Sequence, residues 1–287
     1  MGLQHWNEST EQLQDENRII PKVTYTPSVN YNSMGPFGLN GDRNMNRFRV
    51  AVAVALLFGL TCGAFAEPPK REPPNYETKK LHDPNGIGKF YMNREIAQVM
   101  GYLGATWLER PERVKEEEPA KLIEALAIKP GMVVADVGAG SGYHAFLMSP
   151  LVGEKGKVIA SDIQPEMLKL IEEKAKKLKV SNVETVKGTT QDPKLPAAGV
   201  DLILMVDVYH EFEFPFEMTE KMVEALKPGG KLVFVEFKLE DDKVNIKLVH
   251  KMSERQVLKE MEAFKEMEHE KTHSLPWQHV VVFAKKK

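Results

Sequence analysis

The chain has 287 residues, 42% of them hydrophobic and 28% charged, a balance that can bury a sizeable core in one large domain or two small ones. With 39 basic and 41 acidic residues the net charge is −2, so no global field draws the chain to nucleic acid or to an anionic membrane surface. A single cysteine, Cys62, excludes an intramolecular disulfide and a cysteine metal cluster.

Residues 1–44 are rich in Asn, Gln, Ser, Gly and Pro and carry no apolar period, which predicts disorder. Met45-Asn46-Arg47-Phe48-Arg49, an apolar run over 50–60, and Gly63-Ala64-Phe65-Ala66 then follow the layout of a secretory signal peptide. Translation starting at Met45 would put that signal first. Residues 45–66 are expected to direct export to the periplasm or, uncleaved, to anchor the chain in a membrane, although 17 apolar-rich residues are at the lower limit for a span. Basic residues on both sides (Arg47, Arg49, Lys70 and Arg71) leave the orientation of an anchor open, and a cytoplasmic chain is the alternative. Residues 67–90 open with EPPKREPPN and read as a proline-rich linker.

From Tyr91 the spacing of Ile96, Val99, Met100 and Leu103 predicts a helix, with a second over 116–126, so that 91–130 forms a helical lead-in able to cover a site. Strands are then predicted at 133–137, 158–161, 183–186, 202–206, 231–236, 265–271 and 279–284, with helices at 164–178, 217–226 and 253–264. Such alternation implies an α/β fold over 131–287: a doubly wound, mostly parallel seven-stranded sheet with helices on both faces.

The first of these strands runs into a glycine-rich turn, Asp136-Val137-Gly138-Ala139-Gly140-Ser141-Gly142-Tyr143, at the edge of the sheet where doubly wound folds bind ligands. A dinucleotide fingerprint needs glycine at the first, third and sixth positions, and here the sixth is Tyr143. The second strand ends at Asp162, 24 residues after Gly138, close to where an acid that holds ribose hydroxyls is expected; capping the helix that begins near Pro165 is the structural alternative.

Together the two motifs resemble those of class I, Rossmann-like S-adenosylmethionine-dependent methyltransferases, and Tyr91–Arg113 resembles the lead-in of bacterial predicted methyltransferases of unassigned substrate. The resemblance implies S-adenosylmethionine as cofactor. Asp136 would act near its amino group, Gly138, Gly140 and Gly142 would admit it, Asp162 would hold the ribose, and Ile163 would lie on the adenine. Many members place an adenine-reading acid directly after the glycine of the third strand; Thr189 stands there, so Thr190, Gln191 and Asp192 share that expectation. Gly140-Ser141-Gly142-Tyr143 also occurs in isoaspartyl repair methyltransferases, without the rest of their signature. Arg110 and Arg113 either bind an anionic substrate or pair with Glu116 to Glu118.

The fourth strand ends in Asp207-Val208-Tyr209-His210-Glu211, on the edge that bears the glycine turn. His210 has the ordinary pKa of a general base, Tyr209 is expected to line the acceptor pocket, and Asp207 to face the cofactor. Paired prolines that mark some amino-group methyltransferases are missing here, which disfavours adenine or glutamine amide as acceptor. His269, His273 and His279 have no metal-ligand spacing, so no metal is expected. The acceptor is then a small molecule or a protein side chain. A nicotinamide-dependent oxidoreductase and a non-catalytic S-adenosylmethionine binder are the alternatives.

Overall fold

The computed structural model describes Arg71 and residues 75–287. The expectations for 1–44 and 45–66 lie outside the described residues; within them, no helix is long and apolar enough to cross a membrane.

The first described elements correct the sequence reading. Residues 75–97 form a three-stranded antiparallel sheet of β1 (Glu77–Thr78), β2 (Gly86–Tyr91) and β3 (Arg94–Ala97) where a linker and a helix were expected. The cause is a two-residue turn at Met92 and Asn93, whose φ values of 48° and 73° suit a β-hairpin and not a helix. Ile96 is fully buried while Val99 and Leu103 are 41% and 82% exposed, so the spacing that mimicked a helical face belongs to two different structures. Helical structure begins later, with α1 (Ala105–Leu108), α2 (Arg113–Glu117) and α3 (Pro119–Ala125). The single helix expected over 116–126 is broken at Glu118, which precedes a proline and adopts φ 45°.

Beyond them the chain alternates as its periodicity predicts: β4 (Val133–Val137), α4 (Tyr143–Val152), β5 (Lys157–Asp162), α5 (Pro165–Leu178), β6 (Val183–Lys187), β7 (Val200–Val206), α6 (Pro215–Ala225), β8 (Leu226–Phe237), α7 (Glu254–Met261), β9 (Met267–Ser274) and β10 (Gln278–Lys285). The seven-stranded sheet has the order β6-β5-β4-β7-β8-β10-β9, parallel except where β10 pairs with β8 and β9. Strand alternation divides its apolar residues into two cores. Leu202 and Leu204 join Val134, Val158, Ala145 and Met148 under α3, α4 and α5; Ile203 and Met205 join Phe216, Met222, Val257 and Met261 under α6 and α7. Helices therefore cover both faces. The strand order reverses between β4 and β7, which opens a crevice at their carboxyl ends.

Candidate functional site

A cavity of about 620 Å³ occupies that crevice. Its floor is the turn after β4. Gly138 and Gly140 have φ of 72° and 53°, and a Cβ on either would meet a neighbour: Val208 Cγ2 at 2.3 Å and Leu108 Cδ1 at 2.6 Å. Both positions thus need glycine for conformation and for clearance. Gly142, at φ 76°, needs glycine for the same backbone reason but does not line the cavity; it precedes α4, and a Cβ there would press on Ile171 and Phe146 at 3.0 Å.

Two carboxylates, Asp162 and Asp207, line the cavity at this floor; a third, Asp136 at the end of β4, is buried and does not line it. Asp162 accepts hydrogen bonds from Gly140 N–H and Gln164 N–H, both at 2.9 Å, so it ties the glycine turn to the start of α5 and keeps lone pairs for a ligand. Ordering of the helix start and ligand contact are compatible in this geometry. Burial raises its pKa, partly offset by those N–H donors. Asp136 is buried, and burial pushes its carboxyl up to about 7; its Oδ2 has no hydrogen-bond partner in the protein. Asp207, at φ 51°, accepts from Gln278 Nε2 at 2.7 Å through Oδ2, while its buried Oδ1 is unpartnered. Burial, then the Glu117 and Glu236 charges, hold its pKa well above the carboxylate range.

Ile163, Thr189 and Thr190 line the cavity. Asp192 does not: its carboxylate accepts from Lys194 N–H at 2.7 Å and pairs with Lys194 Nζ at 2.8 Å. The lead-in forms the roof. Trp107, Leu108 and Arg113 line it, fastened by Ser141 Oγ donating to Glu109 at 2.7 Å and Tyr102 N–H donating to Gln164 at 2.9 Å. Arg110 and Arg113 meet Glu117 at 2.6 Å each, with Arg110 also on Glu116, so both arginines form ion pairs.

The far pole follows β7. Residues Tyr209–Glu211 form one 3-10 turn, which sends successive side chains in different directions. This corrects the expectation for Tyr209: its ring packs into the core against Phe212 and Phe234, and only its N–H, donating to Glu236 Oε1 at 3.0 Å, serves the site. His210 and Glu211 line the cavity. His210 Nδ1 donates to Glu236 Oε2 at 2.5 Å, which turns Nε2 toward His250 Nδ1 at 3.2 Å. Burial opposes charging of His210, but the Glu236 carboxylate outweighs it and raises the imidazole pKa. Glu211 Oε1 accepts from Met100 N–H at 3.2 Å and lies 3.5 Å from His250 Nδ1. Arg94 of β3 braces the turn, donating to the His210 carbonyl at 3.2 Å while paired with buried Glu260 of α7.

Sequence reasoning missed Glu211 as a cavity residue, along with Glu236, His250 and Gln278. Glu236, His250 and Gln278 come from segments distant in the chain and carry no local motif; the continuous apolar run of β8 alone would have buried Glu236, a signal that it needed a partner.

The chain matches the family model described as "Methyltransferase domain" over residues 128–283. It is 35% identical over 116 residues to the ubiquinone/menaquinone biosynthesis C-methyltransferase UbiE of Shewanella sediminis, covering 40% of this chain and 46% of that protein. It is also 35% identical over 114 residues to a protein-L-isoaspartate O-methyltransferase of Methanococcus aeolicus, covering 40% of this chain and 50% of that one. The chain thus spans about half the length of the curated relatives it matches. Among solved structures, a SAM dependent methyltransferase from Aquifex aeolicus superposes with a TM-score of 0.61 at 30% identity, covering 65% of this chain and 99% of the other.

Proposed function

Because the chain belongs to the S-adenosylmethionine-dependent methyltransferases, we propose that this cavity holds the cofactor against the glycine turn and an acceptor at the His210 pole. The observation that carries the reading is the buried, unpartnered Oδ1 of Asp207 in the cavity lining, with a second unpartnered carboxyl oxygen, Asp136 Oδ2, buried near it, beside a glycine floor with no room for a Cβ. Buried polar atoms need partners, and an ammonium group supplies donors that the protein here does not.

Bound S-adenosylmethionine supplies a sulfonium methyl group that reacts by in-line displacement. The protein's part is alignment and handling of the acceptor's proton. Asp162, held by two N–H donors, offers its remaining lone pairs to the ribose hydroxyls; Ile163 and Thr190 flank the base; Asp207 faces the amino-acid end, with Asp136 buried at the end of β4 and acting there through the turn or a water. Trp107 and Leu108 roof the cavity and exclude water. At the acceptor pole His210 is fixed by Glu236 with a proton on Nδ1, so its Nε2 lone pair meets the acceptor or its proton. The lining from Phe212, Phe237 and Ile246 favours a small, partly apolar acceptor. Residues 45–66 would carry this reaction to the periplasm or to a membrane surface; fractionation of cells producing the full chain would test that placement.

Calorimetric titration of the full chain with S-adenosylmethionine, and separately with NAD, tests the reading. Micromolar binding of the former, weakened by about 10- to 100-fold in Asp162→Ala, is expected; binding of NAD alone, or of neither, would overturn it.

A further inference from the structure

The far pole contains more than a base needs. His210 Nε2 and His250 Nδ1 are 3.2 Å apart, His250 Nδ1 and Glu211 Oε1 3.5 Å, and the ligand atoms of all three residues lie within 4.8 Å of one another. Donors bound at about 2.0–2.1 Å to one tetrahedral ion are separated by about 3.3–3.4 Å, so two of these spacings already match a shared ion. We propose that His210, His250 and Glu211 form a binding site for a divalent transition-metal ion, with its open coordination positions turned into the cavity.

Three features support the assignment. First, the surrounding groups are those that orient metal ligands: Glu236, fully buried, accepts from His210 Nδ1 and from Tyr209 N–H, which fixes the ring and leaves Nε2 as a lone pair aimed at the other two donors. The Met100 N–H donates at 3.2 Å to Glu211 Oε1, the oxygen that lies 3.5 Å from His250 Nδ1, which fixes the carboxylate while its remaining lone pairs stay available to the ion. Second, the local charge balance is favourable. Glu211 and Glu236 are two carboxylates, whereas Arg94, the cation that acts on His210, is itself paired with Glu260. Third, two imidazoles and one carboxylate on one side, with a cavity on the other, suit zinc, iron or nickel with positions left for a ligand. Those positions take an oxygen, nitrogen or sulfur donor, which makes the acceptor a lone-pair donor able to bind the ion as it loses its proton. The inference deepens the methyltransferase reading and rests on it for the use of the ion, but not for its binding.

The test is a Co²⁺ titration of the chelator-treated full chain, followed by visible absorption, with S-adenosylmethionine binding measured calorimetrically on the same samples. The expected result is one equivalent of Co²⁺ with ligand-field bands that Zn²⁺ displaces, and affinity at least about tenfold weaker in His250→Ala and in the near-isosteric Glu211→Gln, as for disrupted metal shells. Absence of the bands from folded wild-type protein would overturn the site and return His210 Nε2 to direct proton acceptance. Bands unchanged in both variants would also overturn it, because the ion would then sit elsewhere. S-adenosylmethionine binding that persists without the metal separates this failure from a failure of the methyltransferase reading.

Discussion

The two poles of the cavity are built differently. The pole proposed for the cofactor comes mainly from consecutive segments of one parallel unit: β4, the glycine turn and the end of β5, tied by Asp162 to Gly140 N–H and Gln164 N–H, with Asp207 added from the end of β7. The pole proposed for the acceptor is gathered from the hairpin at Arg94, the turn at 209–211, Glu236 of β8 and His250, segments more than 150 residues apart at the extreme. Backbone geometry defines the first; side chains brought together by the tertiary fold define the second. A local motif can therefore specify how a cofactor is held while saying little about the acceptor.

Substitutions at the two poles should separate these roles. The largest effect is expected at the acceptor pole: His210→Ala should lower turnover about 10²- to 10⁴-fold while leaving S-adenosylmethionine affinity nearly unchanged, seen by comparing single-turnover rates with calorimetry. Loss of both together would erase the division. At the cofactor pole, Asp162→Ala should weaken S-adenosylmethionine binding by about 10- to 100-fold, corresponding to roughly 1.5–3 kcal/mol for hydrogen bonds to a charged group.

A third test uses pH. Asp136 is protonated in the fold below about 7 and carries its charge above it, so affinity for a ligand ammonium should rise as pH increases toward 7. It should fall again as the ligand's own α-amino group deprotonates near pH 8. Asp136→Asn should flatten the rising limb. The sign for stability is opposite: the folded carboxyl binds its proton more tightly than the unfolded one, so this group's contribution to the melting temperature declines as pH climbs from about 4 toward 7. The smallest effect is expected at Asp192. Its ion pair with Lys194 is solvent-accessible, so Asp192→Ala should change stability by less than about 1 kcal/mol and leave cofactor affinity unmoved.

The sequence was most legible where period and motif coincide. The strands and helices from Val133 onward, the glycine turn and Asp162 follow from apolar alternation and residue spacing alone. Tyr209 was misplaced because adjacent residues at a strand end share a motif but, in a 3-10 turn, not a direction. The hairpin around Met92 and Asn93 was hidden because Ile96, Val99, Met100 and Leu103 happen to follow a helical period across a strand, a loop and a turn. His250 and Gln278 had no signal, since partnership with His210 and Asp207 exists only once the sheet closes.

The roof over the glycine turn has a kinetic consequence. Leu108 stands where a Cβ of Gly140 would be, and its segment is fastened by a few side-chain hydrogen bonds, among them Ser141 to Glu109 and Gln164 to Tyr102 and Met100. Each such bond contributes about 1 kcal/mol net, so lifting the segment costs a few kcal/mol and not the unfolding of the domain. On the proposed reading, release of the spent cofactor would require this segment to lift, so the hydrogen bonds that hold it down would also bear on the rate of turnover.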